Sequence, residues 1–401
     1  MNIFKKSFCR VYQFAFHLAL PVLPYREPKK LESTDEIANE LKILNINSVL
    51  LVTDEFLRNS GATHSLEQRL KDNDIYVAVF DKTRPNPTVQ NVDDAYNMYY
   101  NHKCKSIIAF GGGSSMDCAK ATGARIAHKG KKLDKLKGNL RIFKKLPPLF
   151  AVPTTAGTGS EVTVTAVITD DIKKHKYTMN SFPLIPHYAV LDPKVTFTLP
   201  KSLTATTGMD AMTHAVESYI GRSTSKETRL LAKQAVKLIF ENIETAYNEP
   251  DNYLSRKNML NAAYKAGIAF SKSYVGYIHA VAHSLGGQYN IPHGLANSVI
   301  LPIVLRMYGE SVHKKLYELA VYTGIANKND SFNVASKKFI LKIEQLNKKL
   351  GIPEKLSGIE KQDIPKMAAH ADKEGNPLYP VPRLMDKTEL EKIYYAIADW
   401  S

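Results

Sequence analysis

One carboxylate and three imidazoles lie in two short segments of the chain's second half. Asp210 and His214 are four residues apart in GMDAMTHAVE, and His279 and His293 lie in GYIHAVAHSLGGQYNIPHG. The helical pattern of the first segment places its two side chains on one face. Such a donor set suits zinc, iron, cobalt or nickel, and four protein ligands leave room for a substrate oxygen. Buried polar side chains without an ion are the alternative, and the pairing of the two segments favours a metal site.

The segment that contains His279 and His293 carries further features of interest. Gly286 and Gly287 are expected to interrupt the helix that carries His279, and Pro292 is expected in the first turn of the next helix. His283 follows His279 by one turn on the same face. It is therefore a candidate proton shuttle or a partner of the metal ligands, with simple packing as the alternative.

A glycine-rich turn in the first half of the chain indicates a phosphate-binding site. The stretch SIIAFGGGSSMDCAK has the pattern of a strand, a turn at 111–113 and the start of a helix. Glycines let a phosphate approach the backbone closely, and a helix N-terminus offers unpaired N–H groups. Ser114 or Ser115 could cap the helix and bind phosphate oxygens. The turn matches neither GxGxxG nor GxxxxGK[ST], so a plain tight turn remains the alternative.

Two polar features follow other strand ends. The loop PTTAGTGSE, at 153–161, follows an apolar run and resembles a second ligand-binding loop. Asp54 closes the run SVLLVTD. A carboxylate at that point can accept hydrogen bonds from the adenosine ribose and disfavours a 2′-phosphate, so it favours NAD over NADP. A helix N-cap is the other role open to Asp54, and the two roles are compatible.

The spacing of apolar residues predicts two architectures along the chain. Strand-like runs lie at 48–54, 75–81, 106–110, 149–155 and 189–193, helical stretches lie near 63–74, 88–103 and 116–129, and 162–181 has the pattern of a hairpin. The alternation predicts a parallel sheet with helices on both faces. Beyond Pro200 the spacing becomes helical. We therefore expect an N-terminal extension (1–30), an α/β domain (31–200) and an all-α metal-binding domain (201–401).

The composition argues against several function classes. The chain carries a net charge of +15, yet its lysines are dispersed and form no basic stripe interleaved with aromatic residues. We therefore expect no nucleic-acid partner. Its three cysteines form no CxxC pair, which is typical of a reducing compartment and predicts a cytoplasmic protein.

The N-terminal segment weakly resembles a signal peptide. His17 and Pro21 interrupt its apolar part, and no small-residue cleavage site follows. An amphipathic helix ending near Pro21 is the favoured interpretation, and a peripheral membrane role is the alternative. We expect the helix to pack against the protein or a dimer partner, and to be neither cleaved nor inserted into a membrane. The apolar side chains concerned are Phe14, Phe16, Leu18, Leu20, Val22 and Leu23.

Taken together, the segments resemble the iron-containing, or group III, alcohol dehydrogenase family. The matching stretches run in family order: VTDEFL, PNPT, GGGSSMDCAK, AVPTTAGTGSEVT, TGMDAMTHAVESY and HAVAHSLGGQYNIPHGLANSVILP. The resemblance implies an α/β dinucleotide-binding domain followed by an all-α domain, an architecture shared with dehydroquinate synthase-like enzymes. It also implies a homodimer.

The resemblance implies roles for individual residues as well. Asp210, His214, His279 and His293 would bind a divalent metal, iron in many members and zinc in some. The pyrophosphate of NAD would lie on Gly112, Gly113 and Ser114, with Asp117 nearby. The remaining cofactor contacts would come from Asp54, Asn86, Thr154, Thr155, Thr158 and Lys176. The metal would act as a Lewis acid toward an alcohol oxygen, and hydride would pass to or from the nicotinamide.

The predicted function is therefore hydride transfer between NAD(H) and a small alcohol/aldehyde pair, with no membrane partner. Two other functions are compatible with parts of the pattern. One is an NAD- and metal-dependent lyase resembling dehydroquinate synthase, although such enzymes lack the arrangement HAVAHSLGGQYNIPHG. The other is a non-catalytic basic surface-binding protein. The complete set of four metal ligands argues against that interpretation.

Overall fold

The structure is a computed structural model that describes residues 1–20, 23–171 and 175–400. Its backbone contacts divide the chain into two units. One is Pro24–Leu199, and the other combines Met1–Leu23 with Pro200–Ser401. Of the predicted extension 1–30, residues 1–23 therefore group with the helical second half of the chain, and residues 24–30 belong to the α/β unit.

The unit Pro24–Leu199 is built on a six-stranded sheet with the order β1-β9-β6-β4-β2-β3. Its strands are β1 (Lys29–Leu31), β2 (Ser48–Val52), β3 (Tyr76–Phe80), β4 (Ser106–Gly111), β6 (Leu149–Pro153) and β9 (Tyr188–Val190). All neighbouring strands run parallel. Strands β2, β4 and β6 are buried along their whole length, which explains their nearly continuous apolar runs. The predicted parallel sheet is confirmed.

Helices cover both faces of this sheet, as predicted. They are α2 (Glu36–Ile43), α3 (Glu55–Asn59), α4 (His64–Lys71), α5 (Val89–Asn101) and α6 (Gly113–Ala127). Leu50 and Val52 of β2 belong to a core with buried residues of α5 and α6. Val49 and Leu51 belong to a second core with residues of α2 and α4. Because alternate residues of a strand point to opposite faces, the single strand β2 contributes to both cores.

A smaller three-stranded sheet completes this unit. Its strands, in the order β5-β8-β7, are β5 (Gly138–Asn139), β7 (Thr165–Asp170) and β8 (His175–Asn180). Strands β7 and β8 pair antiparallel, so the predicted hairpin is present, although its turn lies partly outside the described residues. Strands β1 and β5 are additions to the predicted set. They are only three and two residues long, too short for a periodic signal.

The second unit is helical. Its helices are α1 (Ile3–Ala19), α7 (Lys201–Ile220), α8 (Lys226–Asn248), α9 (Tyr253–Ser273), α10 (Tyr277–Tyr289), α11 (His293–Tyr308), α12 (Glu310–Tyr322), α13 (Phe332–Lys349), α14 (Ile364–Gly375) and α15 (Lys387–Ile397). Pro200 occupies the N-cap position of α7, where the missing N–H of proline costs nothing. The predicted change to an all-α pattern beyond Pro200 is confirmed.

One local prediction in this unit is wrong. Gly286 and Gly287 do not interrupt the helix of His279, because α10 continues through both to Tyr289. A glycine lowers helix propensity by only about 1 kcal/mol, and the burial of Leu285 beside the pair favours the helix. The helix ends instead at Asn290, whose φ of 55° is left-handed. Pro292 then precedes α11 as its N-cap residue, and His293 is the first residue of that helix.

The N-terminal helix α1 spans nearly the predicted range but has its polar side toward the protein. Phe14 and Leu18, which were expected to pack on the protein or on a partner, are exposed in the single chain. Val22 and the side chain of Phe16 lie outside the described residues. Among the described helices, none combines the length and apolar character needed to cross a bilayer.

Candidate metal centre and dinucleotide-binding loops

Three helices bring the four predicted metal ligands together. Asp210 and His214 lie one turn apart on α7, His279 lies in the first turn of α10, and His293 begins α11. One ligand atom from each residue lies within 4.8 Å of the corresponding atoms of the other three. Three of the residues are buried, whereas the His293 side chain is 38% exposed. A nearly enclosed group with one open side matches a site where a small substrate could reach an ion.

Gly294 explains how α11 comes so close to α7. A Cβ atom at this position would collide with the backbone carbonyl of Thr206 and contact the Cβ atom of Asp210 at 3.5 Å. Only glycine therefore allows the first turn of α11 to lie against α7. The dipeptide His293-Gly294 thus supplies both a ligand and the close approach that places it beside Asp210.

Glu217 fixes the orientation of one ligand ring. Its carboxylate accepts hydrogen bonds from the backbone N–H of Gly276 (2.8 Å) and Ile278 (2.9 Å). Its Oε2 atom also lies 2.6 Å from Nδ1 of His279. With Nδ1–H donated to the carboxylate, the lone pair on Nε2 of His279 points to the other ligands. Glu217 lies seven residues after Asp210, on the same face of α7.

The contacts of Asn297 show that the centre of the ligand group is suited to a positive charge. Its Nδ2 atom lies 2.7 Å from Oδ1 of Asp210, 3.2 Å from Nε2 of His279 and 3.1 Å from Nε2 of His293. A single donor of positive partial charge thus faces acceptor atoms of three predicted ligands at once. This convergence of nitrogen and carboxylate lone pairs is what a divalent transition metal requires. The residues present therefore fit such an ion.

The electrostatic environment keeps the imidazoles in their metal-binding form. Burial, with the neighbouring histidines, lowers the pKa of His279 well below its ordinary value. Burial also lowers the pKa of His293 to about 4. Both rings are therefore neutral near pH 7, and neutral imidazole is the form that ligates metals. Burial raises the pKa of Glu217 to about 7, and the N–H groups of Gly276 and Ile278 oppose that rise.

His283 lies beside the predicted ligands rather than among them. Its ring stacks on that of His293 with 5.2 Å between centroids, and 42% of its side chain is exposed. Its Nδ1 atom lies 2.6 Å from Oε1 of Glu374, which also accepts a hydrogen bond of 2.6 Å from the Tyr379 hydroxyl. Burial lowers the pKa of His283, but the charge and hydrogen bond of Glu374 outweigh it and give a net rise. His283 can therefore carry a proton at a pH where the metal ligands do not.

The glycine-rich turn in the α/β unit presents backbone at the start of α6. Gly111 ends β4 with a φ of 151°, and Gly112 is the N-cap residue of α6. A Cβ atom on Gly113 would lie 3.0 Å from Cγ2 of Thr158, and one on Gly112 would lie 3.4 Å from Cγ2 of Thr155. The glycine-rich turn and the loop 153–161 therefore pack closely against each other at these positions. Such a concavity beside unpaired N–H groups of a helix start suits a phosphate group.

Side chains of the two loops add polar groups to this concavity. Ser114 accepts a hydrogen bond of 3.3 Å from the backbone N–H of Asn86, which has a left-handed φ of 59°. Thr158 accepts one of 3.2 Å from the N–H of Ser160. The hydroxyl of Thr155 is buried and has no hydrogen-bond partner among the described residues, so it is available to a ligand. The structure thus brings together Asn86, Ser114, Thr155 and Thr158.

Asp117 takes a different place from the other predicted cofactor residues. Its Oδ1 atom accepts a hydrogen bond from the Ser160 hydroxyl (3.0 Å), and its Oδ2 atom accepts one from the N–H of Val167 (3.0 Å). The fully buried Lys120, one turn later, donates to the hydroxyls of Ser160 and Thr163 at 2.9 and 2.8 Å. Asp117 and Lys120 therefore attach the loop 153–161 to α6. These contacts position the part of the loop that faces Gly113.

The other predicted cofactor residues lie at strand ends or on the small sheet. Thr154 is buried directly after β6, and its N–H donates to the carbonyl of Gly111 at 3.1 Å. Lys176 lies on β8 opposite Thr169 of β7, and burial lowers its pKa. Asp54 is the N-cap residue of α3 and accepts a hydrogen bond of 2.9 Å from the N–H of Leu57. The N-cap role of Asp54 is present, and it leaves the second carboxylate oxygen for a further donor.

The architecture and the donor set now allow comparison with known proteins. Residues 30–193 match the sequence model of iron-containing alcohol dehydrogenases, and residues 204–398 match that of the C-terminal part of the same family. This chain belongs to the iron-containing alcohol dehydrogenase family. It is 38% identical to a 1,3-propanediol dehydrogenase of Klebsiella pneumoniae over 89% of this chain and 93% of the relative. The family assignment makes it a metal-dependent oxidoreductase and favours that function over a lyase.

Two other relatives extend the comparison. An NAD-dependent methanol dehydrogenase of Bacillus methanolicus is 33% identical, with 84% of this chain and 88% of the relative covered. The solved structure of an alcohol dehydrogenase from Oenococcus oeni superimposes with a TM-score of 0.88 and 34% identity, over 93% of this chain and all of the other. The family model begins at residue 30, so helix α1 lies outside the matched region.

Several residues of the site escaped the sequence argument. Glu217 and Asn297 carried a usable signal, because each follows a predicted ligand at helical spacing: seven residues after Asp210 and four after His293. Lys120 looked like one of many lysines, and its burial depends on the second loop. Glu374 lies ninety-one residues from His283 in the chain, so no local pattern links the two.

Proposed function

We propose that the protein interconverts small primary alcohols and aldehydes with NAD(H), and that it uses Fe²⁺ bound by Asp210, His214, His279 and His293. The observation that carries the proposal is the convergence of one atom from each of these residues within 4.8 Å. Membership of the iron-containing family supports the same chemistry. Zn²⁺ is the alternative ion, because intrinsic affinity favours zinc over iron and supply decides between them.

A bound divalent ion would supply Lewis-acid polarisation of the substrate oxygen. The protein's own contribution is to hold the ligand side chains in the required orientation. Glu217 retains the Nδ1 proton of His279 and so directs the Nε2 lone pair toward the centre of the group. Asn297 donates toward three of the four ligands and would give up these contacts to a bound ion. The hydrogen bonds of Glu217 reduce the reorganisation that the reaction would otherwise require.

We assign the proton of the alcohol hydroxyl to His283 when the alcohol is oxidised. Glu374 holds Nδ1–H of His283, so Nε2 is the atom that accepts or returns the proton. The exposed part of the His283 side chain gives the proton a route to solvent. The hydrogen bond from Tyr379 to Glu374 restrains the carboxylate and therefore the imidazole plane.

We propose that NAD(H) is bound in the α/β unit through the facing loops. The pyrophosphate would accept hydrogen bonds from the N–H groups of Gly112 and Gly113 and from the Ser114 hydroxyl. Asp54 would accept hydrogen bonds from the adenosine ribose and discriminate against NADP. Asp117 would act through the second loop. Further contacts are proposed for Asn86, Thr154, Thr155, Thr158 and Lys176.

Family membership and composition also support a cellular compartment and an oligomeric state for the enzyme. We propose a cytoplasmic homodimer. All three cysteines, Cys9, Cys104 and Cys118, are buried free thiols, which suits a reducing compartment. Relatives are named for 1,3-propanediol and for methanol, so the substrate of this chain is proposed to be an alcohol of similar size.

Reconstitution of the metal-free protein tests the proposal. The protein would be purified without oxygen, stripped with a chelator and assayed by NADH absorbance with formaldehyde, acetaldehyde and 3-hydroxypropanal. We expect no turnover without metal, and recovery with Fe²⁺ greater than with Zn²⁺. Full activity in protein shown by elemental analysis to be metal-free would overturn the mechanism. Recovery with Zn²⁺ alone would overturn the assignment of iron.

A further inference from the structure

Helix α1 is attached to its own unit through polar side chains. Nε2 of the buried Gln13 donates to the carbonyl of Tyr379 at 2.7 Å and to that of Pro377 at 3.2 Å. The Arg10 guanidinium donates to the carbonyls of Val381 (2.8 Å) and Pro382 (3.0 Å). These contacts fix which side of the helix faces the protein, and they leave the opposite side to the surroundings.

That opposite side is an apolar face about 140° wide at 3.6 residues per turn. The side chains that define it, hereafter the α1 face, are Ile3 (74% exposed), Phe4 (83%), Phe8 (62%), Val11 (68%), Phe14 (63%) and Leu18 (61%). Scattered apolar side chains are normal on a protein surface, but here six lie on one face of one helix, with the exposed Ser7 among them. A patch of this kind marks an interaction site.

The charges around the α1 face identify its partner. Tyr12 and Lys5 border one edge of the face, where the Lys5 ammonium is paired with Asp372 at 2.8 Å, and the cationic Lys6 and Arg10 border the other. No Asp or Glu precedes Glu27 in the sequence, and the whole chain carries +15. A helix with a wide apolar face, two cations along one border and no acid of its own is complementary to a surface that is apolar within and negative at its rim. An anionic phospholipid surface has that composition.

The same charges argue against a second copy of the chain on this face. Two apposed α1 faces would bring Lys6 and Arg10 of one copy beside the same residues of the other, and the Asp372 carboxylate next to α1 is already paired with Lys5 of its own chain. Unpaired like charges along the border of an interface disfavour it. The homodimer proposed above therefore uses another surface.

We propose that the α1 face binds anionic phospholipid surfaces reversibly, with α1 lying in the plane of the headgroups. Phe4, Phe8 and Val11 would enter the headgroup region, while Lys6 remains among the phosphates. This inference goes beyond the proposed enzymatic function, does not depend on it, and replaces the expectation from the sequence that the protein has no membrane partner.

Sedimentation of the full-length protein with vesicles tests the proposal. One set of vesicles would contain phosphatidylcholine with about 30% phosphatidylserine, and the other phosphatidylcholine alone. We expect the protein to sediment with the anionic vesicles only, and to be released when salt rises from about 0.1 M to about 1 M. The double substitution Phe8→Ser/Val11→Ser should weaken binding at least about tenfold, and Lys6→Glu should weaken it severalfold.

Matched controls come from helix α13, where Phe332 and Val334 are also exposed. Phe332→Ser/Val334→Ser and Lys337→Glu should bind vesicles like the parent protein. Because all these side chains are exposed, each variant should retain its far-UV circular dichroism and NADH-dependent activity. Absence of binding to anionic vesicles would overturn the proposal, and so would binding that survives Phe8→Ser/Val11→Ser. Dissociation of a dimer by that double substitution, measured by light scattering, would overturn it in favour of a second copy.

Discussion

The metal-ligand group and the glycine-rich turn are built in opposite ways. The first consists of side chains: four candidate ligands on α7, α10 and α11, with Glu217 orienting His279. The second consists largely of backbone, with Gly112 and Gly113 exposing N–H groups opposite Thr155 and Thr158. A metal site demands particular donor atoms, whereas an anion site demands a shape that side chains do not block.

This difference has a consequence for how each site can be damaged. Removing one ligand atom takes away part of the metal site that no neighbour can replace. Adding one carbon atom to the turn narrows the space but leaves the remaining N–H groups in place. Substitutions at the first region should therefore cause large losses of metal, and substitutions at the second should cause smaller losses of cofactor affinity alone.

The largest effect is expected for His279→Ala. Metal content should fall to the level of the stripped protein, and kcat should fall more than about 100-fold, because a ligand matters more than the groups that orient it. Elemental analysis and NADH absorbance would measure the two quantities. His370→Ala, which removes an exposed imidazole from α14, should change neither. A His279→Ala protein with full metal content would show that the ligand set is misassigned.

The next effect is expected for Glu217→Gln. The amide keeps the size of the side chain but offers N–H groups where the backbone N–H groups of Gly276 and Ile278 need an acceptor. The orientation of His279 should loosen, and metal affinity should fall by roughly 10- to 100-fold. Competition with a fluorescent chelator would measure that affinity. Glu344→Gln, in an exposed pair with Arg306, is the matched control. Unchanged affinity in Glu217→Gln would contradict the orienting role.

The same contrast explains what the sequence could and could not reveal. The strands of the large sheet and the grouping of the four candidate metal ligands were predictable, because burial and metal chemistry both restrict residue type. Strand β2 is uniformly apolar, and Asp210 with His214 repeats the helical spacing. These features depend on local patterns, which a single sequence displays.

Features that depend on distant contacts were not predictable. Strand β1 exists because Leu31 and its neighbours pair with β9, which lies about 160 residues later. Glu374 reaches His283 through tertiary packing. Helix α1 was recognised, but the side that faces the protein was not, because the carbonyl acceptors of Gln13 and Arg10 lie near the other end of the chain.

A smaller effect is expected for Gly113→Ala. The added Cβ would lie 3.0 Å from Cγ2 of Thr158, tight enough to displace the second loop. Affinity for NADH should fall about tenfold, since overpacking of this kind costs about 1–3 kcal/mol. Metal content should not change. Fluorescence titration with NADH would measure the affinity.

The second half of this test is a rescue. Thr158→Ser removes the Cγ2 atom that the new Cβ would meet but keeps a hydroxyl, so the double variant should regain part of the lost affinity. Gly287→Ala, which places a methyl group where no atom lies within 4 Å, should bind NADH normally. Loss of metal from the Gly113→Ala protein would contradict the expectation that substitutions in the glycine-rich turn lower cofactor affinity alone.

The smallest effect is expected at Asp54, which combines both ways of building a site. Its carboxylate caps α3 through the N–H of Leu57, and its charge is proposed to exclude NADP. Asp54→Asn keeps an acceptor for the cap but removes the charge, so the preference for NAD over NADP in kcat/KM should narrow about threefold while thermal stability is retained. Asp54→Ala should narrow the preference equally and also lower stability by about 1 kcal/mol. Glu55→Gln, which removes an exposed charge next to Asp54, should leave the preference intact. Asp54→Asn and Glu55→Gln could instead alter the preference for NAD over NADP equally. That result would show that the preference depends on the overall charge of the chain and not on a carboxylate placed at the end of β2.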